Sequence, residues 1–167
     1  MNFIVAVDKK WGIGKNNDLL FSLRKDMKHF RETTTGKTVI MGDVTLLSLP
    51  GSKPLPNRKN IVLSLDPDFN CDGTVICHSL EELSEQLKSE DKDNCFVIGG
   101  ASIYKLLMPY CEYAYITKVD ADGGAEKFVP NLDELDNWEI VSTSEEMEDE
   151  GYTIKFVNYR NKTPKEL

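Results

Sequence analysis

Short runs of β-branched and aromatic residues alternate along the chain with stretches of helical periodicity. Residues 3–7, 38–41, 60–64, 74–77, 95–98 and 113–119 read as strands. Most of these runs are apolar throughout rather than alternating. That suits central strands covered on both faces and makes the segments between them crossovers on a largely parallel sheet. Helical spacing predicts helices over residues 23–34, 44–49, 80–88 and 102–108. Ser79 with Glu82 makes a capping-box pattern ahead of the third, and Pro109 stops the fourth. The C-terminal part differs in kind. Residues 138–143 and 152–159 are strand-like and are joined by the acidic Glu145-Glu-Met-Glu-Asp-Glu-Gly151. The pattern predicts an antiparallel hairpin on a sheet edge, with the acidic run as a solvated turn. The expectation is one α/β domain over residues 1–167, built on a mixed sheet.

One polar position breaks the helical pattern. Leu23, Met27 and Phe30 recur at helical spacing, and Asp26 lies three residues from Leu23 and four from Phe30. Asp26 is therefore predicted to point inward. A buried carboxylate needs hydrogen-bond donors or a cation to stay ionised, and the neighbouring residues offer none, so a ligand is one source. The other reading places Asp26 in the first turn behind a Ser22 cap, complementing the helix dipole. The pattern alone leaves both open.

The 167 residues with 40% apolar content fill an ordinary core without disulfides. A net charge of −8 and a pI near 4.8 argue against nucleic-acid or membrane partners, which require basic patches. An anionic ligand would need a local basic site. Cys71, Cys77, Cys95 and Cys111 form no CxxC pair and have no His at metal-ligand spacing, so they read as thiols with no metal site. His29 and His78 read as structural or exposed. The N-terminus runs straight into a strand, with no charged leader or long apolar segment. A cytoplasmic protein is expected.

Two strand-to-helix junctions carry glycine: Val39-Ile-Met-Gly-Asp-Val-Thr45 and Val97-Ile-Gly-Gly-Ala-Ser-Ile-Tyr104. Free N–H groups at a helix start and the close approach that glycine allows suit phosphate, and a pair of such turns suits a dinucleotide. Named phosphate motifs fail. Gly36-Lys37-Thr38 lacks the upstream glycine of a P-loop, where Arg31 stands, and Gly12-Ile-Gly14 lacks the third glycine of a Rossmann fingerprint, where Asn17 stands. The loop of residues 11–21 mixes glycines and polar residues with Leu19, Leu20 and Phe21. It reads either as a flap that closes an apolar surface over a flat ligand or as a loop packing its own hydrophobes.

In order and spacing, the chain closely resembles the dihydrofolate reductase family. The matching motifs are Ala6-Val-Asp8, Gly12-Ile-Gly14, Asp26 with Phe30, Val39-Ile-Met-Gly42, the segment from Pro54 to Ser64 that contains Pro-Leu-Pro-Asn-Arg, Val97-Ile-Gly-Gly100 with Tyr104, and Ile116-Thr117. The resemblance implies a central, mostly parallel eight-stranded sheet flanked by four helices, with its last strand antiparallel. It implies reduction of 7,8-dihydrofolate to tetrahydrofolate by hydride transfer from NADPH. Asp26 corresponds to the acid that accepts hydrogen bonds from the pterin N3 and 2-amino group, and Thr117 to its hydrogen-bonding partner. Arg58 matches the arginine that pairs with the α-carboxylate of the glutamate tail. Met27, Phe30, Leu49 and Leu55 would line the p-aminobenzoyl slot, and Val5, Ala6, Lys53, Ile98 and Tyr104 complete the implied substrate site. The implied cofactor site takes Ala6, Ile13, Gly14, Asn17, Asp18 and Leu19 from the first strand and loop. It takes Gly42, Asp43, Val44 and Thr45 from the first glycine turn, and Ser64, Leu65 and Asp66 from the end of a strand. From the second turn come Ile98, Gly99, Gly100, Ala101, Ser102, Ile103 and Tyr104, with a cis peptide expected between Gly99 and Gly100. Diaminopyrimidine or pteridine antifolates are implied inhibitors, and a monomer the implied state.

Several positions depart from the family pattern. Asp43 stands where an arginine usually clamps the adenosine 2′-phosphate, Ser102 adds no charge, and Leu65-Asp66 sits where polar contacts to that phosphate are common. An aspartate there costs on the order of 1–3 kcal/mol of phosphate binding, so NADH becomes a possible cofactor and weaker selectivity for NADPH is expected. Phe21 replaces a tryptophan whose N–H holds a water. Ala125-Glu126 replaces an acidic-and-hydroxyl pair that binds the flap loop in some members, so flap closure is expected to be governed differently. Two alternatives stand beside the reductase: a paralogue that binds folate or dinucleotide with weak turnover, and a reductase of a riboflavin-pathway pyrimidine.

Overall fold

The computed structural model describes residues 1–16 and 18–167. In chain order the elements are β1 (Asn2–Val7), β2 (Gly12–Lys15), β3 (Asp18–Leu19), α1 (Arg24–Thr34), β4 (Thr38–Gly42), α2 (Asp43–Ser48), β5 (Lys59–Leu63), β6 (Thr74–Cys77), α3 (Leu80–Leu87), β7 (Cys95–Gly99), α4 (Ala101–Leu107), β8 (Tyr113–Val119), β9 (Lys127–Phe128), β10 (Trp138–Thr143), β11 (Met147–Asp149) and β12 (Tyr152–Asn161). Eight strands run across the main sheet in the order β10-β12-β8-β1-β7-β4-β5-β6, and β11 joins as a ninth by pairing with β12. From β8 to β6 every pairing is parallel. The mixed sheet and four helices are those implied by the resemblance.

Burial explains the order. Every residue of β4 is buried, as are four of the five in β5 and in β7. Such strands need cover on both faces, which only crossover helices supply. Val39, Met41, Leu46 and Val62 form one cluster beneath α2, while Leu23, Val119 and Ile154 form another between α1 and the C-terminal strands. At α3 the Ser79 hydroxyl accepts the Glu82 N–H at 3.1 Å, as the capping box predicts. The Glu82 carboxylate accepts the N–H of His78, one residue upstream of its usual target.

Two sequence expectations are corrected. The acidic run is not a solvated turn: Met147–Asp149 is strand β11, paired antiparallel with β12. The turn itself is only Glu150-Gly151, with φ of 49° and 86°, the left-handed pair that a two-residue hairpin requires. Asp149 just before it is 4% exposed. Ser22 does not cap α1 either. Leu23 holds the N-cap position without a side-chain bond, and the cap comes from Asp149.

A second, three-stranded sheet, β3-β2-β9, turns the 11–21 loop into a ribbon. Among the described residues no helix is long and apolar enough to cross a membrane, and no cluster of three or more His, Cys, Asp or Glu could hold a metal.

Candidate active site

Openings in otherwise buried central strands locate the cleft. Val5 and Ala6 in β1 and Ile98 in β7 are part-exposed although strands flank both. They lie toward the carboxyl ends of parallel strands, where open α/β sheets bind ligands. Helix α1 meets β8, the neighbour of β1, through Asp26. The Thr117 hydroxyl, buried on β8 beside Ala6, donates to Asp26 Oδ1 at 2.6 Å.

Burial pushes the Asp26 carboxyl up from its ordinary range; the Thr117 hydrogen bond and nearby His29 oppose that shift, and the negative Asp149 adds to it. His29 is half-buried and stacks on Phe156, with ring centroids 4.1 Å apart. Burial lowers its pKa, against the pull of Asp26 and Glu32. Tyr104 donates to the Ile4 carbonyl at 2.7 Å and so ties α4 to β1. Burial, with Asp26 nearby, pushes its phenol well up, so it stays neutral.

At the other end of the cleft, Arg58 Nη1 donates to Thr34 Oγ1 at 3.1 Å and Nε to the Pro56 carbonyl at 2.9 Å. Its guanidinium lies 6.0 Å from the Phe30 ring centroid. The loop that carries Arg58 is shaped by Asn60, which is 2% exposed. Its side chain accepts from Leu55 N and donates to the Leu55 and Arg58 carbonyls. Between the two ends, Leu49, Leu55 and Ile98 pack on the cluster beneath α2. Met27 remains 55% exposed and Phe30 part-exposed, so they edge the slot and do not fill a core. Lys53 is exposed beyond the 3-10 turn Pro50–Ser52.

The glycine turns lie side by side because β4 and β7 pair, with Met41 opposite Gly99. Gly42 and Gly100 are the N-caps of α2 and α4, and neither helix start has a side-chain cap. The Gly99–Gly100 peptide is cis. A Cβ on Gly42 would sit 2.9 Å from Ile103 Cγ1, and one on Gly99 3.3 Å from Thr45 Oγ1. Each turn therefore packs against the other's helix, and uncapped N–H groups converge where a dinucleotide's phosphates would fit. Ala101 and Ile103 are part-buried beside them, whereas Ser102 is exposed.

At the edge of these turns the Ser64 hydroxyl donates to Asp43 Oδ2 at 2.6 Å and accepts the Asp66 N–H at 3.3 Å. His78 Nδ1 lies 2.9 Å from the Ser64 carbonyl oxygen. Val44 and Leu65 are 63% and 88% exposed. Asp43 is thus held by a hydroxyl.

The ribbon borders the cleft. Ile13 and Gly14 are buried, and Asp18 and Leu19 exposed; Asn17 lies outside the described residues. Asp8 grips the ribbon's base through the N–H groups of Lys10, Gly12 and Gly123, at 2.7–3.0 Å. Glu126 holds its tip: Oε1 accepts Asn16 N–H at 2.8 Å and Glu126 N donates to Gly14 O at 2.8 Å. The acid of the Ala125-Glu126 pair therefore binds the loop without a neighbouring hydroxyl. Phe21 turns its ring edge to Tyr152, centroids 5.0 Å apart.

Sequence reasoning missed Asn60 and Asp149 as site-shaping residues. Asn60 stood inside a strand run. Asp149 was lost among acids, and only its place one residue before a Glu-Gly turn marked it.

The sequence model of the family described as dihydrofolate reductase matches residues 1–161. The chain is 37% identical over 164 residues to dihydrofolate reductase of Bacillus subtilis, covering 97% of this chain and 95% of that one. It is 35% identical to the Staphylococcus haemolyticus enzyme of the same name, over 90% of this chain and 87% of the relative. The solved structure of dihydrofolate reductase from Enterococcus faecalis, complexed with NADP(H) and RAB-propyl, superposes with a TM-score of 0.85 at 32% identity, covering 96% and 95% of the two chains.

Proposed function

Since the chain belongs to the dihydrofolate reductase family, we propose that Asp26 and Thr117 form the catalytic end of its cleft and Arg58 the substrate-anchoring end. The activity is reduction of 7,8-dihydrofolate to tetrahydrofolate with NADPH, and neither alternative reading is favoured. The observation that carries the residue assignment is the buried hydroxyl of Thr117 donating to the part-exposed carboxylate of Asp26.

Asp26 accepts the pterin N3–H and 2-amino N–H, which fixes the ring in the cleft. Thr117 spends its one donor on Asp26 Oδ1 and so fixes the carboxylate's orientation. Negative charge at that edge of the ring raises the proton affinity of N5, and water delivers the proton. Arg58, tethered by Thr34 and Pro56, pairs with the α-carboxylate of the glutamate tail. Met27, Phe30, Leu49, Leu55 and Ile98 shield the slot between them, while Val5, Ala6 and Tyr104 form its floor and Lys53 its outer rim. NADPH would be held by Gly42, Val44 and Thr45 on one side and by Gly99 to Ile103 on the other. Ala6, Ile13, Gly14, Asp18 and Leu19 would close over its nicotinamide end, and Ser64, Leu65 and Asp66 would border its adenosine. When bound there it supplies the hydride. Replacing Asp26 by Asn tests the assignment: kcat/KM at neutral pH falls by about 10²–10³, and full activity in that variant would refute it.

The cofactor preference is a separate proposal. Asp43, held by Ser64, supports selectivity for NADPH over NADH that is weaker than in the family, since a carboxylate repels a 2′-phosphate and accepts from a 2′-hydroxyl. A kcat/KM ratio above about a thousandfold, some 4 kcal/mol, would overturn it. Diaminopyrimidine and pteridine antifolates are the proposed inhibitors, and a cytoplasmic monomer the proposed state.

A further inference from the structure

The helix that carries Asp26 is held at its start by a distant hairpin. Asp149 Oδ2 accepts the backbone N–H groups of Lys25 at 2.9 Å and Asp26 at 3.1 Å. Lys25 Nζ donates to the Glu148 carbonyl at 2.6 Å, and Arg24 Nε pairs with Glu150 Oε1 at 3.5 Å. Three consecutive residues of α1 thus grip three consecutive residues of the β11–β12 hairpin, next to Leu23 packed on Val119 and Ile154. The grip fills a local gap: Leu23 cannot cap, and among the described residues no side chain nearer in sequence does.

The N–H groups of a helix's first turn have no partner within the helix and compete for any carboxylate nearby. Asp149 satisfies two of them, those of Lys25 and Asp26, and the Asp26 carboxylate bonds to Thr117. We propose that Asp149 is a positioning residue for substrate binding, capping α1 from the hairpin so that the Asp26 carboxylate is left to the pterin ring. The proposal rests on Asp26 being the pterin-binding acid. Asp149 also brings a like charge toward Asp26. The other groups facing Asp26 are Thr117 from β8, neutral Tyr104 from α4 and His29 from α1 itself. Asp149 is thus the negative group among them, and it favours the protonated form of Asp26.

Two substitutions separate cap from charge. Asp149→Ala removes both and raises KM for dihydrofolate about tenfold, while KM for NADPH stays within about twofold. Asp149→Asn keeps an acceptor oxygen and holds KM for dihydrofolate within about threefold. In that variant the acid limb of 2,4-diaminopyrimidine binding, followed by fluorescence titration, moves about 0.5 pH unit lower. Glu148→Gln, an exposed acid of the same hairpin, moves neither reading. An unchanged dihydrofolate KM in folded Asp149→Ala, or an unmoved acid limb in Asp149→Asn, overturns the proposal. If the alanine variant fails to melt cooperatively, the asparagine acid limb decides alone. Asp26→Asn, run alongside, separates the two levels: full activity there refutes the reading of Asp26, whereas its loss beside a silent Asp149→Ala refutes only the positioning role.

Discussion

A carboxylate that binds a ligand well is poorly placed for the empty protein. Burial raises the Asp26 carboxyl above its ordinary value near 3.8, so the folded form holds its proton more tightly than the unfolded chain. The stability this gives is fully present below the unfolded value and is lost as pH rises through the folded one. At neutral pH the ionised group is a net cost to the apoprotein. Asp26→Asn should therefore raise the melting temperature of the ligand-free enzyme by a few degrees at pH 7, with the difference vanishing below the ordinary carboxylate range; a lower melting temperature at pH 7 would contradict this. Arg58 carries a complementary expectation. Lysine cannot offer two parallel donors while tethered to Thr34 and Pro56, so Arg58→Lys should raise KM for dihydrofolate about tenfold and leave kcat nearly unchanged. Asp26 was marked in the sequence by its break in an apolar period, whereas Arg58 was assigned only through the family resemblance, on its Pro-Leu-Pro-Asn-Arg segment. Asp149 could not be read from sequence, because its partners lie 124 and 123 residues away and a one-dimensional pattern holds no record of that distance.

At the scale of elements, the ribbon β2-β3-β9 depends on a glycine that opens strand β2. A Cβ on Gly12 would stand 2.3 Å from Ala125 Cβ and 2.9 Å from Asp8 Oδ1. Its absence lets the ribbon lie flat against the segment before β9. Gly12→Ala should lower the melting temperature by about 4–10 °C through overpacking, and a calorimetric scan would reveal the error if the change were within about 1 °C. Glu126→Ala acts at the other end. It frees the Asn16 N–H while keeping the Glu126 N–H to Gly14 carbonyl bond, so amide exchange at Asn16 should quicken about tenfold with little change in global stability. The central strands were legible as elements because their apolar runs admit no other environment. The β9 and β11 segments were not, since two and three residues carry too little period to distinguish from loop. They become strands only because β2 and β12 present unpaired edges.

Charge acts at the scale of the whole molecule, and here the two ends of the cleft should behave oppositely. The net charge of −8 repels both anionic ligands at long range, and salt screens that repulsion over roughly 10 Å at 0.1 M. At the proposed substrate end, burial and then the nearby Arg31 guanidinium lower the pKa of Arg58, so two cations stand together there against the distant field. At the proposed adenosine end Asp43 and Asp66 lie beside Ser64, whose hydroxyl donates to the Asp43 carboxylate and accepts the Asp66 N–H. Raising ionic strength from about 20 mM to about 200 mM should therefore raise KM for dihydrofolate and lower KM for NADPH. Asp43→Arg should reverse the second sign, because an arginine beside the 2′-phosphate turns screening from a help into a loss. NADH, which lacks that phosphate, should show a smaller salt response than NADPH in the natural enzyme. Steady-state kinetics with both cofactors at the two ionic strengths separates the local charge from the global one: parallel responses at the two ends would mean that the net charge of the chain, and not Asp43, governs how the cofactor is received.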